Sequence, residues 1–228
     1  MSESTPAAPT LPRSAPSRRR VASSLAWAVP TVVAAAAAPA EAASPPPRID
    51  RVFQLTLAPG VPWTEPEVSP CASTLLTNPT RLSVTTDNVN TYYRIVNVQA
   101  GSTVTNVTAS VLVQKDMVDA METGRNPTTF TWSSATPSWS APTREVSGTT
   151  PAVYTNNGIQ YYRYVSKLSP PVPAPVSGTI TLPSIGWYSN CSTTLTGVMV
   201  NGRASAVVNG MTLDNVGTYV RLTPRPAG

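Results

Sequence analysis

Thr91-Tyr92-Tyr93-Arg94-Ile95-Val96-Asn97-Val98 is followed, after a short break around Gly101, by Thr103-Val104-Thr105-Asn106-Val107-Thr108-Ala109-Ser110-Val111-Leu112-Val113. Both runs are rich in valine, threonine and tyrosine, the residues that suit a pleated, half-buried surface. They read as two strands separated by a turn, and the rest of the body repeats the pattern. Val52-Phe53-Gln54-Leu55-Thr56-Leu57 alternates apolar and polar after its first pair, the period of a strand with one face buried. Arg81 to Thr85, Thr128 to Trp132, Ile159 to Leu168 and Gly178 to Leu182 behave alike. Thr193 to Val200, Arg203 to Val208 and Thr218 to Leu222 complete the set.

Asn201-Gly202 and Asn209-Gly210 are turn signals between closely spaced strands and predict two hairpins. One stretch reads as helix, Lys115 to Thr123, with Met117, Ala120 and Met121 at i, i+3, i+4 and Gly124 as its stop. About ten short strands with turn chemistry between them predict an all-β fold, an antiparallel β-sandwich with one short helix. Strands that do not alternate with helices exclude a parallel α/β sheet.

The rhythm of Tyr92 to Val98 and Gly101 to Val107 resembles that of immunoglobulin-like modules in bacterial surface proteins. That resemblance implies an immunoglobulin-like or elaborated sandwich, and an architecture rather than a function. Tyr92-Tyr93-Arg94-Ile95-Val96 is echoed by Tyr161-Tyr162-Arg163-Tyr164-Val165. A single sandwich domain over residues 51–228 is expected, with two lobes, 51–124 and 127–228, as the alternative that the echo suggests.

Ahead of the body, Arg18-Arg19-Arg20 precedes an alanine-rich apolar run and then Ala40-Glu41-Ala42-Ala43. A positive start, an apolar middle and small residues at a cut site are the parts of a signal peptide. The reading gives a leader over 1–42, cleavage between Ala42 and Ala43, and a proline-rich spacer over 43–50. The leader resembles twin-arginine export signals of high-GC Gram-positive bacteria, which implies export. Membrane contact is expected only through the leader before it is removed, and the mature chain is expected to be secreted or held at the cell envelope.

Composition narrows the function classes. Charged residues are 12% of the chain, about half the usual ~25%. Removing the leader leaves twelve basic and nine acidic residues, scattered singly. A nucleic-acid binder would cluster its cations, so no nucleic-acid partner is expected. The chain has no histidine, which excludes Ser-His-Asp and Cys-His catalysis and every His-ligated metal site. No catalytic residue, metal or cofactor is expected.

Cys71 and Cys191 are an even pair in an exported chain and predict a disulfide. Trp132 and Trp139 flank a polar loop, Ser133 to Ser138, and are the candidate ligand-contact aromatics, since an exposed ring offers a large, rigid contact area. Phe130 and Trp132 share a face if the strand alternates, which points Trp132 into the core and leaves Trp139 exposed. Trp63 and Trp187-Tyr188 are further aromatic candidates. Asp116, Asp119 and Glu122 lie on one helix face and read as a solvated face; a glycosidase would need two carboxylates across a bond. Asp87-Asn88-Val89-Asn90 reads as an Asx turn rather than a calcium loop. Asn106-Val107-Thr108 and Asn190-Cys191-Ser192 match the glycosylation sequon. These features predict a non-enzymatic structural or adhesion module. A carbohydrate- or wall-binding protein is the second reading and a wall-directed glycosidase the third.

Overall fold

The computed structural model describes residues 44–52, 67–71, 74–77, 79–89, 91–174, 176–195 and 197–222. In chain order these form β1 (Arg48–Val52), β2 (Glu67–Pro70), β3 (Thr80–Thr85), β4 (Tyr92–Ser102) and β5 (Val104–Gln114), then the helix α1 (Lys115–Thr123). There follow β6 (Trp132–Ser134), β7 (Thr143–Arg144), β8 (Val146–Ser147), β9 (Thr150–Pro151), β10 (Val153–Asn156) and β11 (Ile159–Lys167). The last are β12 (Val176–Thr181), β13 (Gly186–Ser189), β14 (Val198–Val208), β15 (Met211–Val216) and β16 (Val220–Leu222).

The fold is the expected all-β, antiparallel sandwich, with one short helix among the described residues. One layer is a seven-stranded sheet, β10–β11–β5–β14–β15, with β7 also beside β11 and β16 beside β14. The other comprises two smaller sheets, β1–β4–β12 and β2–β3–β13–β6. Their joint is visible in the backbone: Thr86 N donates to Ile185 O and Leu182 N to Tyr93 O, each at 3.0 Å. The β4/β12 ribbon thus runs on into β3/β13.

The core explains why these residues became strands. Val107, Ala109, Val111 and Val113 of β5 point to one side and meet Tyr162 and Tyr164 of β11 and Val200, Ala204 and Ala206 of β14. Tyr93, Ile95 and Val98 of β4 face them from the other layer. At about 25 cal/mol per Å² of apolar surface removed from water, this shared burial is the main force holding the layers together. A β-bulge interrupts β5: Thr108 pairs with Ser205 and Thr105 with Val207, so Asn106 and Val107 together oppose Ala206. Asn106 takes the left-handed conformation there, with φ 50°, which asparagine tolerates better than most residues.

The two Asn-Gly steps part company. Asn209 (φ 48°) and Gly210 (φ 83°) form the predicted two-residue turn between β14 and β15. Asn201-Gly202 makes no turn; it lies inside β14, where Asn201 pairs with Leu112 and Gly202 with Val111 of β5. The reason is the other edge of β14, where β15 ends and β16 begins. The buried Asn201 amide donates to Gly217 O, and Gly217 N donates to Gly202 O at 3.3 Å, so this dipeptide holds the gap between two edge strands.

The helix has the predicted bounds but a different inner face. Val118 and Met121 are buried and Met117 packs against the core, while Ala120 is exposed. Gly124 follows it in extended backbone, at a position where any Cβ would stand 2.5 Å from the Ala120 carbonyl oxygen, so that only glycine fits. The echoed runs belong to different sheets, Tyr92–Val96 in β4 and Tyr161–Val165 in β11. β5, from the first half of the chain, pairs with β11 and β14 from the second, so the halves share one sheet and residues from Pro45 on form one compact unit. No helix among the described residues is long and apolar enough to cross a membrane.

Candidate functional site

The aromatic loop is closed. Trp139 is only 2% exposed, which overturns its expected exposure. The polar loop around it is strapped to the end of β11: Ser140 N donates to Lys167 O at 3.0 Å, and Ser169 N donates to Ser138 O at 2.8 Å. Those bonds turn the small residues outward and the indole inward. There it meets Trp187 edge-on, with ring centres 6.2 Å apart, and Tyr93 at 6.5 Å. Trp132 is buried beside Phe130, with ring centres 5.6 Å apart, the shared face that alternation gives. Trp187 is buried as well. Tyr188 and Tyr92 are half-buried, each with a guanidinium over its ring, from Arg81 at 4.4 Å and Arg94 at 3.7 Å. Trp63 and the Ala42–Ala43 cleavage site lie outside the described residues.

The helix acids do not form a freely solvated face. Asp116 is exposed, but Asp119 pairs with Lys115 and accepts from the Tyr162 hydroxyl at 3.1 Å. Glu122 is held in a fork by Arg144, one arm at 3.1 Å, and also accepts from Phe130 N at 2.9 Å. Arg144 Nε donates to the Tyr164 hydroxyl at 3.0 Å, and its guanidinium lies 4.6 Å from the centre of the Tyr162 ring. Burial pushes the Tyr164 phenol well above its usual range. Burial, and then the bond to Asp119, raise Tyr162. Glu145 accepts from Tyr154 and pairs with Arg163 at 3.8 Å. These three carboxylates tie the helix and the arm at 145–152 onto β11.

Cys71 and Cys191 come to disulfide distance, with Cα atoms 6.2 Å apart. The cause lies in Thr80, which pairs with Pro70 on one side and bridges Ser192 on the other. The residues next to both partners are the two cysteines. The Asp87 loop is an Asx turn: its Oδ1 accepts from Val89 N at 2.8 Å and Thr91 N at 2.9 Å. Among the described residues no three of Cys, Asp or Glu gather as metal ligands. Of the sequons, Asn190 is occupied, donating to Thr129 O at 2.8 Å and accepting from Thr131 N at 3.0 Å; Asn106 is exposed on the bulge.

Among the described residues, two concavities can be outlined. A cleft of about 270 Å³ lies between Gly124–Thr128 and Cys191–Thr194. A groove of about 380 Å³ runs between the β5 bulge and Leu168, Pro171 and Val172. Neither brings charged groups of opposite roles together.

One edge of the seven-stranded sheet is interrupted. β7 and β10 share one edge of β11, and between them the chain leaves as an arm, residues 145–152, carrying β8 and β9. β10 joins β11 through Asn157 (φ 48°) and Gly158 (φ 77°). A two-residue turn makes Asn156 and Ile159 the closing hydrogen-bonded pair, and alternation makes Tyr154 and Tyr161 the next. Val153 and Thr155 therefore aim their N–H and C=O groups away from the sheet. Val153 is 44% exposed and Val146, on the arm, 61%. The sequence reading missed this strand, although Asn157-Gly158 after Val153-Tyr154-Thr155-Asn156 was its signal.

Comparisons of the chain with protein-family models, with curated proteins and with solved structures find no match.

Proposed function

We propose that the chain is an exported, non-enzymatic β-sandwich module of the cell surface or the medium, acting through contacts made by its edges and loops. The observation that carries this reading is the employment of Asp119, Glu122 and Glu145, each bound to a cation and a hydroxyl or amide within the fold. Side chains engaged in this way serve as fasteners; a general acid or base needs a group free to exchange its proton with a substrate. The leader and the cysteine pair support export, since disulfides persist in oxidising compartments. The second reading, a carbohydrate- or wall-binding protein, loses Trp132 and Trp139 as its platform because both are buried.

The test is retention of the oxidised full chain on purified cell wall and on intact cells, with bound material identified and soluble sugars assayed. Capture of a protein or wall component without product release agrees with the proposal. Turnover of a wall polymer would overturn it.

A further inference from the structure

We propose that Asn157 is a site of self-modification, where the chain converts this asparagine to aspartate and isoaspartate without an enzyme. The sequence has three Asn-Gly steps, beginning at Asn157, Asn201 and Asn209. In each, the backbone nitrogen after the asparagine can attack the side-chain carbonyl carbon and close a cyclic imide. The two groups belong to one short stretch of chain, and glycine has no Cβ to shield its nitrogen. The fold decides which of the three can react. Asn201 is buried inside β14 and donates its amide to Gly217 O. Asn209 is exposed, but its Oδ1 accepts from Thr103 N at 2.8 Å and its Nδ2 donates to Ser102 Oγ at 3.0 Å. Turning that amide toward Gly210 N would break both bonds. Asn157 is exposed, and its side chain makes no hydrogen bond among the described residues. Gly158 stands in open space, where even an added Cβ would meet nothing within 4 Å. Its N–H lies outside the ladder, because Asn156 and Ile159 are the pair that closes the two-residue turn.

The reaction needs no co-reactant except water. Base takes the proton from Gly158 N, this nitrogen forms a bond to Asn157 Cγ, and the Cγ–Nδ2 bond breaks. Nδ2 leaves as ammonia, with the missing proton returned by solvent. Water then opens the imide. Cleavage at Cγ gives aspartate. Cleavage at the main-chain carbonyl gives isoaspartate, which carries the backbone through Cγ and lengthens the turn by a carbon. The register of a hairpin is fixed by its turn type and loop length. The lengthened turn therefore disturbs the Asn156–Ile159 pair and loosens β10, which has only four residues on β11.

Trypsin places the three steps in separate peptides, 145–163, 168–203 and 204–221, so one peptide map reads them all. The oxidised full chain is held in mildly alkaline buffer, native and in urea, and conversion is followed by mass and by separation of the aspartate and isoaspartate peptides. In native protein 145–163 should convert about tenfold or more faster than 204–221, because two hydrogen bonds must break before Asn209 reacts. Peptide 168–203 should stay unchanged, and in urea the three rates should converge. Asn157→Gln, whose longer side chain closes the ring poorly, should stop conversion of 145–163 with the circular-dichroism spectrum unchanged. Converted protein should exchange its β10 amide hydrogens faster than fresh protein. Native conversion that begins at Asn201 or Asn209 overturns the inference, and so do equal native rates at Asn157 and Asn209 or a ranking that persists in urea. Conversion of 145–163 that survives Asn157→Gln overturns it as well, as does β10 exchange that conversion leaves unchanged. None of these outcomes bears on wall or cell retention, so the proposal above stands or falls separately.

Discussion

The Trp139 indole donates its Nε1 hydrogen to the carbonyl oxygen of Pro183 at 3.0 Å. This bond crosses from the polar loop after β6 to the link between β12 and β13. It gives the buried ring a partner for its polar end while the rest packs on Trp187 and Tyr93. Trp139→Ala should therefore lower stability by ~3–5 kcal/mol, the cost of emptying an aromatic site in a packed core. Trp139→Phe should lose less but leave the Pro183 carbonyl unpaired. Urea denaturation of the two variants gives both values. A loss below about 1 kcal/mol for the alanine variant would mean that the ring is not part of the core.

Arg144 is the residue through which helix, edge and core meet. Its pair with Glu122 is about one-fifth exposed on each side, so it is more than a surface ion pair and less than a fully buried one. Arg144→Met should cost about 1–3 kcal/mol, because Glu122, left with only the Phe130 amide, and the Tyr164 hydroxyl lose the guanidinium in a half-dry site. Adding Glu122→Gln should recover part of that loss. A double-mutant cycle by denaturation measures the coupling, and strict additivity of the two changes would show that the fork contributes nothing.

The helix was legible because nine residues of 3.6-residue periodicity stand alone among period-2 runs. Its inner face was misassigned by one position, since Val118 competes with Ala120 for the core and the larger side chain wins. Trp139 was misread for a different reason. Local polarity predicts a loop, but only the bonds from Ser138 and Ser140 to the end of β11 decide which way that loop folds. Those partners are about thirty residues away, outside any local pattern. The β10 edge was similarly hidden, because pairing partners and open edges belong to topology.

Alkaline pH should unfold the protein sooner than acid-to-neutral changes do. Burial raises Tyr161, Tyr162 and Tyr164, and the bond to Glu145 raises Tyr154. A phenol whose pKa is higher folded than unfolded binds its proton more tightly in the native state. Its contribution is complete below the unfolded value near 10 and is lost as pH climbs toward the folded value. Arg51, lowered by burial to about 10, works in the opposite sense and is one group against four. With no histidine, no imidazole titrates between pH 5 and 8. Thermal melts should show a steep fall above about pH 10, and Tyr164→Phe should make that fall shallower. A midpoint that stays level to pH 11 would contradict this.

The cysteine pair closes a separation of 120 residues. A bond across a loop of that size removes much of the unfolded chain's freedom, so Cys71→Ala or Cys191→Ala should each cost ~2–5 kcal/mol. The double variant should cost no more than either single one, because one bond is at stake. A non-reducing peptide map should recover the two half-cystine peptides joined. Two free thiols in oxidised protein would refute the pairing.

Asn201 and Asn209 each precede glycine, and the structure assigns them opposite tolerances to the same change. Asn209 sits exposed at the β14–β15 turn, where its Oδ1 accepts from Thr103 N at 2.8 Å. Aspartate keeps that acceptor, also tolerates the left-handed conformation, and leaves Ser102 able to reverse its bond to the side chain. Asn209→Asp should thus change stability by no more than about 0.5 kcal/mol. Asn201 is 1% exposed, and what it supplies is a donor to the Gly217 carbonyl in the gap between β15 and β16. A carboxylate has no hydrogen to give, so Asn201→Asp would press a desolvated charge against a carbonyl oxygen with no partner for either. That change should cost at least ~3 kcal/mol or leave the carboxyl protonated at neutral pH. Paired denaturation curves for the two variants decide the matter. Equal, small losses would mean that Asn201 does not hold the edge of β14, and that the gap between its two neighbours is closed by the backbone alone.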